Sequence, residues 1–281
     1  MRKTLRTAAV ICRSEVGQTE ANLRTMESFA AAGARHNAHW VCFPELCITG
    51  YHVREEIADA AIDIDGPEVE RVVRMAGSRG IGIIAGLAEK NTAGGLYATT
   101  IACDTSGIIG IYRKIHLGPP EKNVFAAADT IGALVESDGF CFGIQMCYDA
   151  HFPELSTHMT ARGADAVFIP HASPGSTASQ KHASWMRHLP ARAYDNSVFV
   201  IAVNPAGDNG CGLTFPGVAM VIAPDGNILE SRLAADAEET MLLADLPGTL
   251  IDDIRGHRMR YFFPNRRPEL YCACTQSTKD R

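Results

Sequence analysis

The sequence predicts an α/β fold in which two mixed β-sheets face each other with helices outside. Apolar strand-like runs recur along the chain, a helical stretch separates the first two, and later runs are joined by tight turns. Helical separation is the mark of a parallel crossover, and tight turns are the mark of antiparallel hairpins. A mixture of both suggests two packed sheets rather than one doubly wound sheet.

Residues Thr7 to Cys12 and Trp40 to Phe43 read as buried strands. Between them, Thr19 to Ala38 places Leu23, Met26, Ala30 and Ala34 on one helical face, which gives a β-α-β opening. Ile81 to Leu87, Tyr97 to Cys103 and Ile108 to Ile115 are further strands, the last two joined by the hairpin turn Asp104-Thr105-Ser106-Gly107. Phe140 to Met146 and Ala166 to Ile169 repeat the apolar pattern around a helix from Pro153 to Arg162. A long helix, roughly Ser179 to Tyr194, precedes the strand Val198 to Val203. The chain then turns strand-rich, with Val218 to Ile222, the turn Pro224-Asp225-Gly226-Asn227, and Met241 to Ala244.

No linker, repeat or low-complexity stretch divides residues 1–281, so a single domain is expected. The stretch 258–281 is rich in Arg, Pro and Tyr and lacks periodicity, and it reads as an extended tail that wraps over a surface or a partner subunit. A formal charge of −6, with no basic cluster interleaved with aromatics, argues against nucleic acid as a partner. No apolar run approaches the length of a membrane span. Nine cysteines are too few for a disulfide scaffold in 281 residues, and the odd number leaves at least one thiol free. The expected location is the reducing cytoplasm.

Three ionisable groups each follow an apolar run. Cys147 stands where Phe140-Cys141-Phe142-Gly143-Ile144-Gln145-Met146 breaks into a polar turn, Glu45 lies in Phe43-Pro44-Glu45-Leu46, and Lys114 lies in Tyr112-Arg113-Lys114-Ile115-His116-Leu117. A thiol at a strand end is held rigidly and can still face a cleft. An unperturbed cysteine, with a pKa of about 8.5, is only slightly ionised at neutral pH, so a catalytic one needs a base or a cation beside it. A partly desolvated Glu45 could take the thiol proton and return it to a leaving amine, while Lys114 and the backbone N–H of Tyr148 could stabilise an oxyanion. Each residue alone also has a plain structural explanation: cysteine is often inert packing, Glu45 could sit in a surface turn, and Lys114 could be an edge charge.

In combination these segments resemble the nitrilase superfamily of carbon–nitrogen hydrolases, in its amidase and carbamoylase branch. The similarity runs in order from about Thr7 through Phe43-Pro44-Glu45, Tyr112 to Leu117 and Gly143-Ile144-Gln145-Met146-Cys147-Tyr148-Asp149 to Arg266-Arg267-Pro268-Glu269-Leu270-Tyr271. The resemblance implies that Cys147 is the nucleophile, Glu45 the general base and Lys114 the oxyanion-stabilising cation. It places a second glutamate at Glu121, which would position substrate or assist proton transfer, with a solvated loop charge as the alternative. It further implies a four-layer α-β-β-α sandwich and a homodimer or higher homo-oligomer that pairs through helices.

The chain departs from the family pattern at Ala128, where glycine is usual, and at Gly217-Val218-Ala219, where Gly-x-Ser is frequent. His151 stands where many amidase-like members have an arginine, which weakens the expectation of a carboxylate read at that position. Nitrilases proper commonly follow the nucleophile with Trp-Glu; Tyr148-Asp149 is similar to the amidase and carbamoylase branches. The expected reaction is therefore hydrolysis of a small-molecule amide through a cysteine thioester, with N-carbamoyl compounds or nitriles as alternative substrates. Tyr51, Tyr148, His151, Phe152, His171 and Trp185 are candidate substrate-binding residues, chosen for proximity to the catalytic segments or for lying on loops after strands. Two readings from other classes stay open: a cysteine–histidine hydrolase and a silent binding or scaffold protein on the same fold.

Gly80-Ile81-Gly82-Ile83-Ile84-Ala85-Gly86 looks like a dinucleotide loop, but its glycines lie inside an apolar strand and miss the required spacing, so packing explains them better. The ten histidines form no His-Glu-x-x-His, and Cys272-Ala273-Cys274 is a lone pair. No metal and no cofactor are expected.

Overall fold

The opening crossover is formed by β1 (Thr4–Ile11), α1 (Thr19–Arg35) and β2 (Trp40–Cys42), with β1 and β2 parallel, in a computed structural model that describes residues 3–91, 94–235 and 237–271. Leu23, Met26 and Ala30 bury the inner face of α1 as their spacing predicts. The helix stops short of Ala38 because Asn37 turns left-handed, with φ of 58°.

The remainder of the first half comprises α2 (Glu56–Ala60), α3 (Pro67–Arg79), β3 (Gly82–Lys90), β4 (Leu96–Asp104) and β5 (Gly107–Arg113). The second half begins with β6 (Val135–Ser137), β7 (Phe140–Ile144), α4 (Pro153–Ala161) and β8 (Ala166–Pro170). It continues through α5 (Ala178–Trp185), α6 (Leu189–Asn196), β9 (Phe199–Asn204), β10 (Gly207–Asp208), β11 (Thr214–Phe215), β12 (Val218–Ile222) and β13 (Ile228–Leu233). β14 (Thr240–Pro247), α7 (Gly248–Arg255) and α8 (Pro268–Tyr271) complete the described elements.

Two six-stranded sheets result, ordered β14-β1-β2-β3-β4-β5 and β13-β12-β9-β8-β7-β6. Each has a parallel centre, β1-β2-β3 and β7-β8-β9, flanked by antiparallel strands. In β1 the period of two is visible in the packing. Leu5, Ala9 and Ile11 enter the core between the sheets, whereas Ala8 and Val10 pack under α1 and α3 with Leu23, Met26, Val69 and Val72. The predicted layers, helix on sheet on sheet on helix, are those observed.

Three details differ from the sequence expectation. The helix expected from Ser179 to Tyr194 is broken into α5 and α6, because Pro190 lacks an N–H and is accommodated only in the first turn of α6. The amphipathic α3, with Val69, Val72, Met75 and Ala76 buried, was not anticipated, although Pro67 at its start and left-handed Gly80 at its end are ordinary boundary signals. β14 pairs antiparallel with β1 and so leaves the sheet of its sequence neighbours β12 and β13.

The apolar glycine strand packs closely. A Cβ on Gly82 would lie 2.3 Å from the Trp40 ring, and one on Gly86 would lie 2.4 Å from the Leu46 backbone N. No described helix is long and apolar enough to cross a membrane. Residues 272–281, with the Cys272-Ala273-Cys274 pair, lie outside the described residues.

Trp40 of the first sheet meets Phe142 of the second edge-on at 4.8 Å, and its indole N–H donates to Ser137 Oγ at 3.0 Å. Phe168 continues the stack at 5.0 Å from Phe142. Trp40→Ala is expected to cost about 3–5 kcal/mol of stability, because neither rigid sheet can collapse into the space. Urea unfolding of the variant measures this, and a loss under about 1 kcal/mol would show that the ring does not bridge the sheets.

Candidate active site

The candidate functional side chains lie just past the C-terminal ends of strands from both sheets. Glu45 follows β2, Lys114 follows β5, Cys147 follows β7, and His171 and Ala172 follow β8.

Lys114 is completely buried and lies between two carboxylates. Its Nζ is 2.7 Å from Glu45 Oε1 and 2.7 Å from Glu121 Oε1. Burial alone would lower the ammonium's pKa, but the charges of Glu45, Cys147 and Glu121 outweigh it and raise the pKa above its ordinary value. The ends of the segment are fixed. Lys114 N–H donates to Ala98 O at 2.9 Å, and the preceding Arg113 forks onto buried Glu89 at 2.7 and 2.5 Å. Glu121 is oriented by the Tyr51 hydroxyl, which donates to Oε1 at 2.9 Å, and by the Gly118 N–H, which donates to Oε2 at 2.6 Å.

Glu45 Oε2 accepts the Ala172 N–H at 3.0 Å, and the Glu45 N–H donates to His171 O at 3.1 Å, so the segment after β8 of the opposite sheet holds Glu45 by both its carboxylate and its backbone. Leu46 beside it is left-handed, with φ of 53°, a turn that the missing Cβ at Gly86 allows to press on β3. Burial raises the Glu45 pKa to about 7; Lys114 opposes this shift, and Glu121 and Asp149 add to it. The folded protein thus binds that proton more tightly than the unfolded chain, so the group's contribution to stability is lost as pH rises through about 7.

Cys147 is half-buried with φ of +40°, unusual for a residue with a side chain. Asp149, fully buried, holds this turn: it accepts the Met146 N–H at 3.0 Å, the Tyr112 hydroxyl at 2.6 Å and the His116 N–H at 2.9 Å, and His116 Nδ1 lies 2.8 Å away. Burial and the Glu45 charge push the thiol up to about 12, Lys114 pulls it down, Glu121 pushes it up, and the Ala172 N–H pulls it down. The sulfur therefore lies within electrostatic reach of all three partners and is held as a thiol until a base removes its proton.

A carbon–nitrogen hydrolase family profile matches residues 6–255. The chain belongs to that family. It is 30% identical to a nitrilase of Pyrococcus abyssi over 95% of this chain and 99% of that one, and 26% identical to an (R)-stereoselective amidase of a Pseudomonas species over 89% and 87%. The crystal structure of an amidase from a Nesterenkonia species superposes with a TM-score of 0.82, at 26% identity, over 96% of each chain. A variant of that amidase carries the acetamide moiety of fluoroacetamide on its active-site cysteine. These relatives share the fold of this carbon–nitrogen hydrolase over nearly its full length.

The other candidate residues are placed less uniformly. Tyr51 joins the site through Glu121, and Tyr148 is half-buried with its ring 5.5 Å from Phe152 and 5.6 Å from His151. Phe152 stacks on His116 at 3.9 Å, and His151 is exposed and stacked on His188 at 4.4 Å. His171 and Trp185 are buried against each other at 4.5 Å, and His171 Nδ1 faces the Ile169 carbonyl at 2.8 Å. Burial keeps that imidazole neutral, with its pKa well below the ordinary value. Asp149, Tyr112 and His116 were missed as site residues although they flank Cys147 and Lys114 in the quoted motifs. The Ala172 N–H has no side-chain signal at all.

Asp149→Ala leaves the Tyr112 hydroxyl and the Met146 and His116 N–H groups without their acceptor. Chemical denaturation is expected to show a loss of about 3 kcal/mol or more, at roughly 1–3 kcal/mol per unsatisfied buried group. A neutral result would show that the turn is held by something else.

Proposed function

We propose that the protein hydrolyses the carbon–nitrogen bond of a small linear amide through a thioester on Cys147, with Glu45 as general base and Lys114 as oxyanion stabiliser. The observation that carries this is the convergence, at strand ends of the two sheets, of a thiol, a carboxylate with a pKa of about 7 and a buried ammonium. The cysteine adduct in the Nesterenkonia amidase supports it.

Glu45 takes the Cys147 proton as sulfur attacks the amide carbon. The carbonyl oxygen becomes an oxyanion, neutralised by Lys114 and the Tyr148 N–H. As the C–N bond breaks, Glu45 returns the proton to the departing ammonia or amine, leaving a thioester. Water then attacks the thioester, Glu45 takes the water proton and passes it to the departing sulfur, and the carboxylic acid is released. Glu121 holds Lys114 and Tyr51 in place and lines the substrate's amide side.

A homo-oligomer is part of the same reading. Tyr194 on α6 packs 5.4 Å from Phe262 of the tail, and both are exposed, as are Met186, Met259, Leu270 and Tyr271. A surface of this composition suits a second copy of the chain, with 258–281 covering part of it. Seven described cysteines are all free thiols, which supports a reducing, cytoplasmic location.

Intact-protein mass spectrometry after incubation with mixed amides, N-carbamoyl compounds and nitriles is expected to show an acyl adduct that Cys147→Ala abolishes. An adduct that survives the substitution would assign the chemistry to another thiol, and no adduct or turnover from any of them would favour a silent scaffold. Glu45→Gln is expected to lower kcat/KM by about 100- to 10,000-fold, whereas a cysteine–histidine enzyme would keep most of its activity. Because the base must be ionised, kcat/KM should rise with pH through about 7 and then level. A flat profile across that range would remove Glu45 from the role.

A further inference from the structure

Beyond the central trio, an ammonium beside the site has no counter-charge among the described residues. Lys181 lies on α5, one turn before Trp185, and residues four apart share a helix face. Trp185 on that face is buried against His171 at the end of β8. Lys181 Nζ is 2.6 Å from Ser173 Oγ, the residue after Ala172, whose N–H holds Glu45. Ser173 is itself pinned, its N–H donating to Asn204 Oδ1 at 2.8 Å and its carbonyl accepting from Asn204 Nδ2 at 3.2 Å.

Lys114 has two carboxylate partners; Lys181, half-buried, has a hydroxyl and, among the described residues, no ion pair. Burial lowers its pKa, and the charge of Cys147 acts in the opposite direction, so the ammonium is close enough to feel the nucleophile. A desolvated cation without an anion costs stability unless a ligand supplies one. An ammonium has three donors, and Ser173 accounts for one of them.

We propose that Lys181 reads the acyl half of the substrate, and that this half carries a carboxylate. The inference rests on amide hydrolysis at Cys147 and narrows its substrate class to monoamides of short dicarboxylic acids and similar anionic amides. Lys181 would do from α5 what no arginine at position 151 can do from the turn after the nucleophile. His171, close by and neutral, adds no competing charge.

The test compares butyramide with succinamic acid, which has the same chain length but ends in a carboxylate. The wild-type protein is expected to prefer succinamic acid. Lys181→Met is expected to raise the KM for it by about 10- to 100-fold, the range of a charge-assisted hydrogen bond, with kcat and butyramide turnover little changed. Lys181→Arg should restore most of the loss, and the wild-type KM for succinamic acid alone should rise with salt. The wild-type preference and salt response do not depend on how well any variant folds. Equal loss on both amides in Lys181→Met, or a wild-type preference for butyramide, overturns the role of Lys181 and leaves hydrolysis at Cys147 intact. If the wild type hydrolyses neither amide and forms no adduct, both proposals fall.

Discussion

The site is organised around the burial of one positive charge. Removing an ammonium from water costs several kcal/mol even after relaxation, and Lys114 is tolerated only because Glu45 and Glu121 each approach it to 2.7 Å. The same arrangement sets the chemistry. Burial raises the Glu45 carboxyl to about 7 against the pull of Lys114, and burial together with the Glu45 charge holds the Cys147 thiol protonated at rest. In the proposed mechanism proton transfer and sulfur attack are thereby linked, because the thiol would lose its proton to Glu45 as it attacks.

That electrostatic core needs a rigid frame, since an error of about 1 Å in aligning reacting groups costs orders of magnitude in rate. The frame comes from both sheets. Glu45 leaves the first sheet but is held by backbone groups at the end of β8 in the second. Cys147 leaves the second sheet, while Asp149, which stabilises its left-handed turn, takes bonds from Tyr112 and His116 on either side of Lys114. The two halves of the site are cross-braced, so neither sheet can shift alone. Backbone strain at Cys147 and Leu46 is located where the fold over-determines it.

Around this centre the polar groups differ in how fully they are satisfied. Asp149 uses both oxygens and Glu89 is forked by Arg113, which marks them as structural supports. Lys181 is held by the neutral hydroxyl of Ser173, next to the Ala172 N–H that grips Glu45, which marks it as a group with capacity to spare. Away from the site, exposed Tyr194 on α6 shares a cleft with exposed Met259 and Phe262 of the tail.

Much of the fold was legible in the sequence because it depends on local periodicity. The alternation in β1, the face of α1 and the hairpin at Asp104 to Gly107 are properties of neighbouring residues. The segments bearing Glu45, Lys114 and Cys147 each end an apolar strand in a polar turn, and it was their resemblance in combination to a known family that singled them out. What only the tertiary structure decided is which distant groups meet. The pairing of β14 with β1, the bonds from Tyr112, His116 and Met146 to Asp149 and the grip of the Ala172 N–H on Glu45 all join residues far apart in the chain or involve backbone atoms. Residue type fixes which charges and hydrogen bonds are available. Burial and distance fix their strength, and both are set by the packing of the two sheets.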